Sequence, residues 1–114
     1  MKGQSLVRRL GFALAGLRAA FARERSFRTH LLAAFAVVTV LCVTRPPLVW
    51  WAIGFLATGL VLVAELLNSA LEALADRIHP EQHPEIRAAK DLAAAAVLVA
   101  SATGALVAAV FVFR

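Results

Sequence analysis

Three uncharged apolar runs constrain this chain more than anything else in it: residues 31–44 (14 residues), 46–64 (19) and 92–113 (22). A helix that crosses the hydrocarbon core needs about 20 such residues, so the last two qualify outright. The first is short, but Phe27, Thr29 and His30 extend it, and the Arg28 side chain can snorkel back toward the headgroups. The pattern predicts three membrane spans. A hydrophobic fraction of 61% and a mean hydropathy of +0.80 exclude a water-soluble domain of this size.

Charge then gives orientation. Lys2, Arg8, Arg9, Arg18, Arg23, Arg25 and Arg28 precede the first span and face one acid, Glu24. Only Arg45 lies in the tight turn at 44–47, whereas Arg77, Arg87 and Lys90 separate spans two and three. Basic residues mark the cytoplasmic side, so the N-terminus is expected there and the C-terminus outside, in the cell inner (plasma) membrane. A net charge of +5 and a pI of about 11.1 would ordinarily suggest nucleic acid. In so apolar a chain they indicate anionic lipid, and no nucleic-acid partner is expected. Residues 1–28 carry eight charges and no apolar core segment, which fits badly with a cleavable signal peptide. Cys42 is the only cysteine, so no intrachain disulfide can form.

Ahead of the spans, Leu6, Leu10, Leu14, Leu17 and Phe21 recur at helical spacing within an arc of about 80°. This predicts an amphipathic helix on the membrane surface, over residues 1–25. The same wheel puts Glu24 on the apolar stripe, where a carboxylate wants a cation; alternatively the helix has ended by Arg23 and Glu24 is solvated. The second span continues its helical pattern past the apolar run to Pro80, giving a helix over 47–79 that outruns the hydrocarbon core. The third, over 89–113, carries small residues at Ala96, Ala100, Gly104 and Ala108, each four apart, which let another backbone approach closely. Trp50 and Trp51 near the turn suit either an interfacial belt or the core. Helices over 1–25, 27–44, 47–79 and 89–113 make one all-α membrane domain, and three spans enclose so little volume that association is expected.

Polar residues gather at the far end of span two. Glu65, Asn68, Ser69, Glu72 and Asp76 share one helix face within an arc of about 100°. Such groups at or near hydrocarbon are costly unless they pair or bind a cation, so they are candidates for a functional site. Glu72 and Asp76 have a second reading, as a solvated helix end paired with Arg77 or Lys90. His79 and His83 beside carboxylates could suggest zinc, but Pro80 breaks the helix between them and a solvated turn fits better. Lys90 and Asp91 at the mouth of span three suit a phosphate with its metal. Gly11 and Gly16 have the spacing of a phosphate loop, yet Leu17 and Arg18 follow where Lys and Ser/Thr belong, so no Walker-type loop is present.

These residues fall in strings that resemble a known family. They are G-L-R-A-A at 16–20, E-R-S-F-R-T-H at 24–30, E-L-L-N-S-A-L-E-A-L-A-D-R-I at 65–78 and A-K-D-L-A-A-A-A-V-L at 89–98. In order and spacing the chain is similar to the small prokaryotic diacylglycerol kinases and undecaprenol kinases. The resemblance implies a homotrimer of three-span subunits with a surface helix, transferring the γ-phosphate of ATP to a membrane lipid alcohol at the cytoplasmic interface. By position it makes Glu65 the general base, with Asn68 beside it. Glu24 and Glu72 become the carboxylates that hold the magnesium of MgATP, and Lys90 and Asp91 the nucleotide-contacting pair. Glu81, Gln82 and His83 form the loop near the nucleotide, and Phe12 stands where the family often has an aromatic residue against it. The string at 24–30 looks more like the undecaprenol kinase branch, with Ser26 for its usual Asn and Ala95 where it often has Gly.

Two other classes compete. An ion-coupled transporter would hold its ionisable group near the bilayer midplane, whereas the acids here gather at one end beside Lys90. A lipid-binding adaptor would account for the basic helix but not for Glu24, Glu65 and Glu72 together.

Overall fold

The computed structural model describes Gly3, Ser5 and residues 6–78 and 83–114. Four helices follow one another: α1 Leu6–Arg23, α2 Arg25–Thr44, α3 Leu48–Ile78 and α4 Pro84–Phe113. No strand occurs among the described residues. The last three helices are long and apolar enough to cross a membrane, so this is an all-α membrane protein with an additional N-terminal helix.

The ends of the helices follow from local chemistry. Ser5 caps α1, its hydroxyl accepting from the Arg8 N–H at 3.3 Å. α1 ends at Arg23, one residue before the wheel would carry Glu24 onto the stripe. Glu24 takes an extended conformation (φ −110°, ψ 107°) and separates α1 from α2 alone. Arg28 holds this break: its Nη1 donates to the carbonyls of Phe21 (2.7 Å) and Ala22 (3.3 Å), two of the orphan acceptors at the end of α1. Ala20 and Phe27 are buried on either side.

α2 stops where Arg45 turns left-handed (φ 49°, ψ 56°), with its N–H on the Leu41 carbonyl at 2.9 Å. That conformation costs a non-glycine residue about 1–2 kcal/mol. Pro46 and Pro47 follow it and cannot continue a helix. α4 starts at Pro84, ahead of residue 89, because Pro suits the first helical position and His83 caps it, Nδ1 accepting from the Glu85 N–H at 3.2 Å.

α3 is the central element, with α2 and α4 packed against it and α1 against α2. Gly54 sets the approach of α2: a Cβ there would lie 3.2 Å from Leu41 Cδ1 and 3.5 Å from Val37 Cγ1. On the other side the small-residue row of α4 meets α3, with Ala100 buried and Gly104 opposite Val61. Hydroxyls in the apolar helices turn back on their own backbone, as Thr39, Thr58 and Thr103 do to the carbonyls four residues before. Most large apolar side chains still face outward, Leu32 and Leu98 at 70% exposure each. Such a surface is tenable in lipid or against other subunits, not in water.

At the end formed by the 45–47 turn, Trp50 meets Phe111 edge-to-face at 5.2 Å, tying α3 to the end of α4. Arg114 stacks its guanidinium 4.0 Å from the Phe111 ring centre. Trp51 contacts Phe55 of its own helix. The long axis of the molecule is 48 Å, and the opposite end carries the acidic stripe.

Candidate active site

The stripe begins with Glu65, which α3 places deep in the bundle: the residue is 4% exposed, the one acidic or basic residue buried among those described. A carboxylate there demands a partner. His30, near the start of α2, supplies it, with Nε2 3.1 Å from Glu65 Oε1 and the imidazole about one-third exposed. One turn further along α3, Asn68 Nδ2 donates to Glu72 Oε1 at 3.4 Å. Asn68 Oδ1 is buried and has no hydrogen-bond partner among the described residues, so a strong acceptor is left open beside Glu72.

Charge bridges α3 to α4 next. Lys90 Nζ lies 2.7 Å from Asp76 Oδ1, and both are partly exposed. Asp91 pairs with Arg87 at 3.4 Å along α4, well exposed. Of the two readings for the end of the stripe, Asp76 therefore takes the paired one with Lys90, whereas Glu72 takes Asn68. Glu24 sits in the α1/α2 break, half-buried, without a side-chain cap bond. Phe12 projects from α1 and is 47% exposed, and His83 caps α4. Glu81 and Gln82 lie outside the described residues.

Within the chain the fold thus brings together Asn68 with Glu72, pairs Lys90 with Asp76 of the same stripe, and links Glu65 to a residue that the sequence reading did not single out for the site, His30. His30 had a signal in the sequence. Counting from the turn, 15 residues lead back from Arg45 to His30 and 18 forward from Pro47 to Glu65, about 22 and 27 Å of helix, so the two share a depth. His30 also closes one end of an apolar groove of about 440 Å³ floored by α3 and walled by α2 and α4, which runs to Trp50 and Phe111 at the other.

Three helices fit to span a membrane, with carboxylates, an amide and a lysine at one end of the apolar bundle, define a membrane protein with a polar site at one end of its spans. Residues 11–113 match the family described as prokaryotic diacylglycerol kinase. The chain is 36% identical to the diacylglycerol kinase of Escherichia coli (strain K12) over 95 residues, 83% of this chain and 78% of that one. It is 38% identical to the diacylglycerol kinase of Pseudomonas aeruginosa over 103 residues, 87% and 84% of the two chains. With the undecaprenol kinase of Bacillus subtilis (strain 168) it shares 42% over 76 residues, 67% and 62%. The chain belongs to the prokaryotic diacylglycerol kinase family and is a lipid kinase.

Proposed function

We propose that the protein transfers the γ-phosphate of MgATP to the hydroxyl of a membrane lipid alcohol, undecaprenol or diacylglycerol, at the cytoplasmic face of the cell inner membrane. The observation that carries this reading is the buried Glu65 carboxylate, held at the end of the apolar part of α3 with Asn68 and Glu72 on the same face. A lipid alcohol arrives from the bilayer and ATP from water, so the chemistry belongs at the boundary where Glu65 sits. Glu65 accepts the hydroxyl proton while the O–P bond forms and the γ-phosphorus separates from the bridging oxygen, whose electron pair leaves with ADP. Asn68, with its open Oδ1, is placed to receive a donor from the acceptor lipid or from water around the nucleotide. Lys90 supplies positive charge to the phosphates, with Asp91, His83, Glu81, Gln82 and Phe12 as nucleotide contacts.

Among the described residues no three His, Cys, Asp or Glu side chains gather within the chain to hold a metal ion, so magnesium would need substrate phosphates beside one or two carboxylates. Glu24 and Glu72 would hold it, oxygen donors of the hard type that this ion takes one or two at a time alongside phosphates, and the open oxygen of Asn68 adds acceptor capacity for its water shell. Bound there, magnesium would neutralise charge developing on the transferred phosphoryl group. Glu24 belongs to the basic surface-helix region and Glu72 to α3, and a homotrimer lets neighbouring subunits complete each site. The basic N-terminal segment favours the N-terminus in the cytoplasm. The string at 24–30 favours undecaprenol as acceptor, and diacylglycerol is the alternative.

Purified protein in lipid vesicles, given γ-labelled ATP with undecaprenol and diacylglycerol side by side, is expected to label one of them in a magnesium-dependent way. Label in neither lipid overturns the reading.

A further inference from the structure

Glu65 is buried, yet the mechanism above uses only one of its oxygens. The other is taken. His30 Nε2 lies 3.1 Å from Glu65 Oε1, the imidazole comes from a different helix, and its side chain is 29% exposed where that of Glu65 is 5%. Among the described residues, His30 is also the only ionisable one lining the apolar groove that runs between α2 and α4. It therefore stands between lipid-accessible space and the carboxylate.

We infer that His30 is a positioning residue for Glu65: its Nε2–H donates to Oε1 and fixes the rotation of the carboxylate, so that Oε2 is the oxygen presented to the acceptor hydroxyl. The physical need is plain. A carboxylate in a nearly dry site, on a side chain with three rotatable bonds, has no reason to hold one orientation unless a fixed donor takes one oxygen. α2 is held at the right height by Leu41 against Gly54, and its first turn by the Arg28 clamp on α1. The imidazole is thus carried by a packed element, as an orienting group must be. Misplacing a reacting group by about 1 Å costs on the order of 100-fold in rate. The inference rests on the kinase reading, with Glu65 as its base.

A merely structural histidine would satisfy the buried carboxylate and do no more. Three variants separate the two roles. His30→Gln keeps an N–H donor at comparable reach, His30→Asn keeps the amide but falls short of Glu65, and His30→Leu removes the donor. In the vesicle assay His30→Asn and His30→Leu are expected to lose kcat by about 10- to 100-fold with the KM for ATP unchanged, and His30→Gln to recover most of it. On a Glu65→Gln background, His30→Asn is expected to cost nothing further, since the group it orients is gone. Wild-type kcat in folded His30→Asn, equal losses in the Gln and Asn variants, or a double variant that falls by the product of the two singles would each overturn the inference while the labelled wild-type lipid left the kinase reading standing. A wild-type protein that labels neither lipid removes both.

Discussion

The two ends of the helical bundle handle charge in opposite ways. At the turn end, Arg45 satisfies its N–H on Leu41 four residues back, and Arg114 stacks on Phe111 three residues back. Those contacts are local and the groups are exposed. At the end that carries the acidic stripe, two pairs join different helices, His30 of α2 to Glu65 of α3 across 35 residues and Asp76 of α3 to Lys90 of α4 across 14, beside the local pairs Arg87–Asp91 and Asn68–Glu72. Local contacts finish a helix and can be lost without moving its neighbours. Contacts between helices fix where side chains stand relative to one another, which is what phosphoryl transfer requires. Under the proposed function, the turn end anchors the bundle and the end with the acidic stripe carries the chemistry.

The comparison breaks first, if it breaks, at Glu65. Glu65→Gln keeps the size of the side chain and a hydrogen-bonding group for His30 but removes the base. Turnover is expected to fall by about 100- to 10,000-fold, with MgATP binding retained. Loss of nucleotide binding would instead assign Glu65 to the ATP site. Glu72→Gln comes next. The magnesium concentration for half-maximal activity should rise by at least about 10-fold, with a severe fall in turnover at ordinary magnesium. An unchanged magnesium titration would remove Glu72 from the metal site and leave its bond to Asn68 as its role.

How much of this the residues themselves disclosed varies with the range of the interaction. The spans were readable because hydropathy is a local property of each run, and the length and apolarity of α2, α3 and α4 bear it out. The family was readable from the string at 65–78. The end of α1 was left between two readings, because the apolar stripe continues through position 24; the helix ends at Arg23, as one of them had it, and the clamp beyond that end comes from Arg28, a tertiary bond that no wheel contains. The start of α4 carried its own signal in His83 and Pro84, which an apolar-run argument passes over. The pair of His30 and Glu65 needs the rotation of α2 about its axis, set by Leu41 in the space left by Gly54. A hydrophobic pattern fixes the depth of two residues but not that rotation.

Gly54→Leu tests the same seam between chemistry and scaffold. Its side chain would meet Leu41 Cδ1 and Val37 and wedge α2 from α3, at a cost of about 1–3 kcal/mol. Unfolding by SDS in mixed micelles is the measurement. Because α2 also carries His30, turnover should fall together with stability, in contrast to Glu65→Gln, which should leave the unfolding curve nearly in place. A Gly54→Leu protein of lower stability and unchanged turnover would show that the seat of Leu41 does not govern the active end.

Arg114→Ala probes the turn end alone and carries the smallest expected effect. The guanidinium lies 4.0 Å from the Phe111 ring centre and 5.9 Å from that of Trp50. An exposed stack of this kind stabilises by about 0.5–1 kcal/mol. The SDS midpoint should therefore move slightly, while kcat and the magnesium titration stay at wild-type values, because Arg114 meets α3 at Trp50, at the opposite end of that helix from Glu65 and Glu72. A fall in kcat with an unmoved midpoint would mean that the two ends communicate along α4, and the division between anchoring and chemistry would have to be given up.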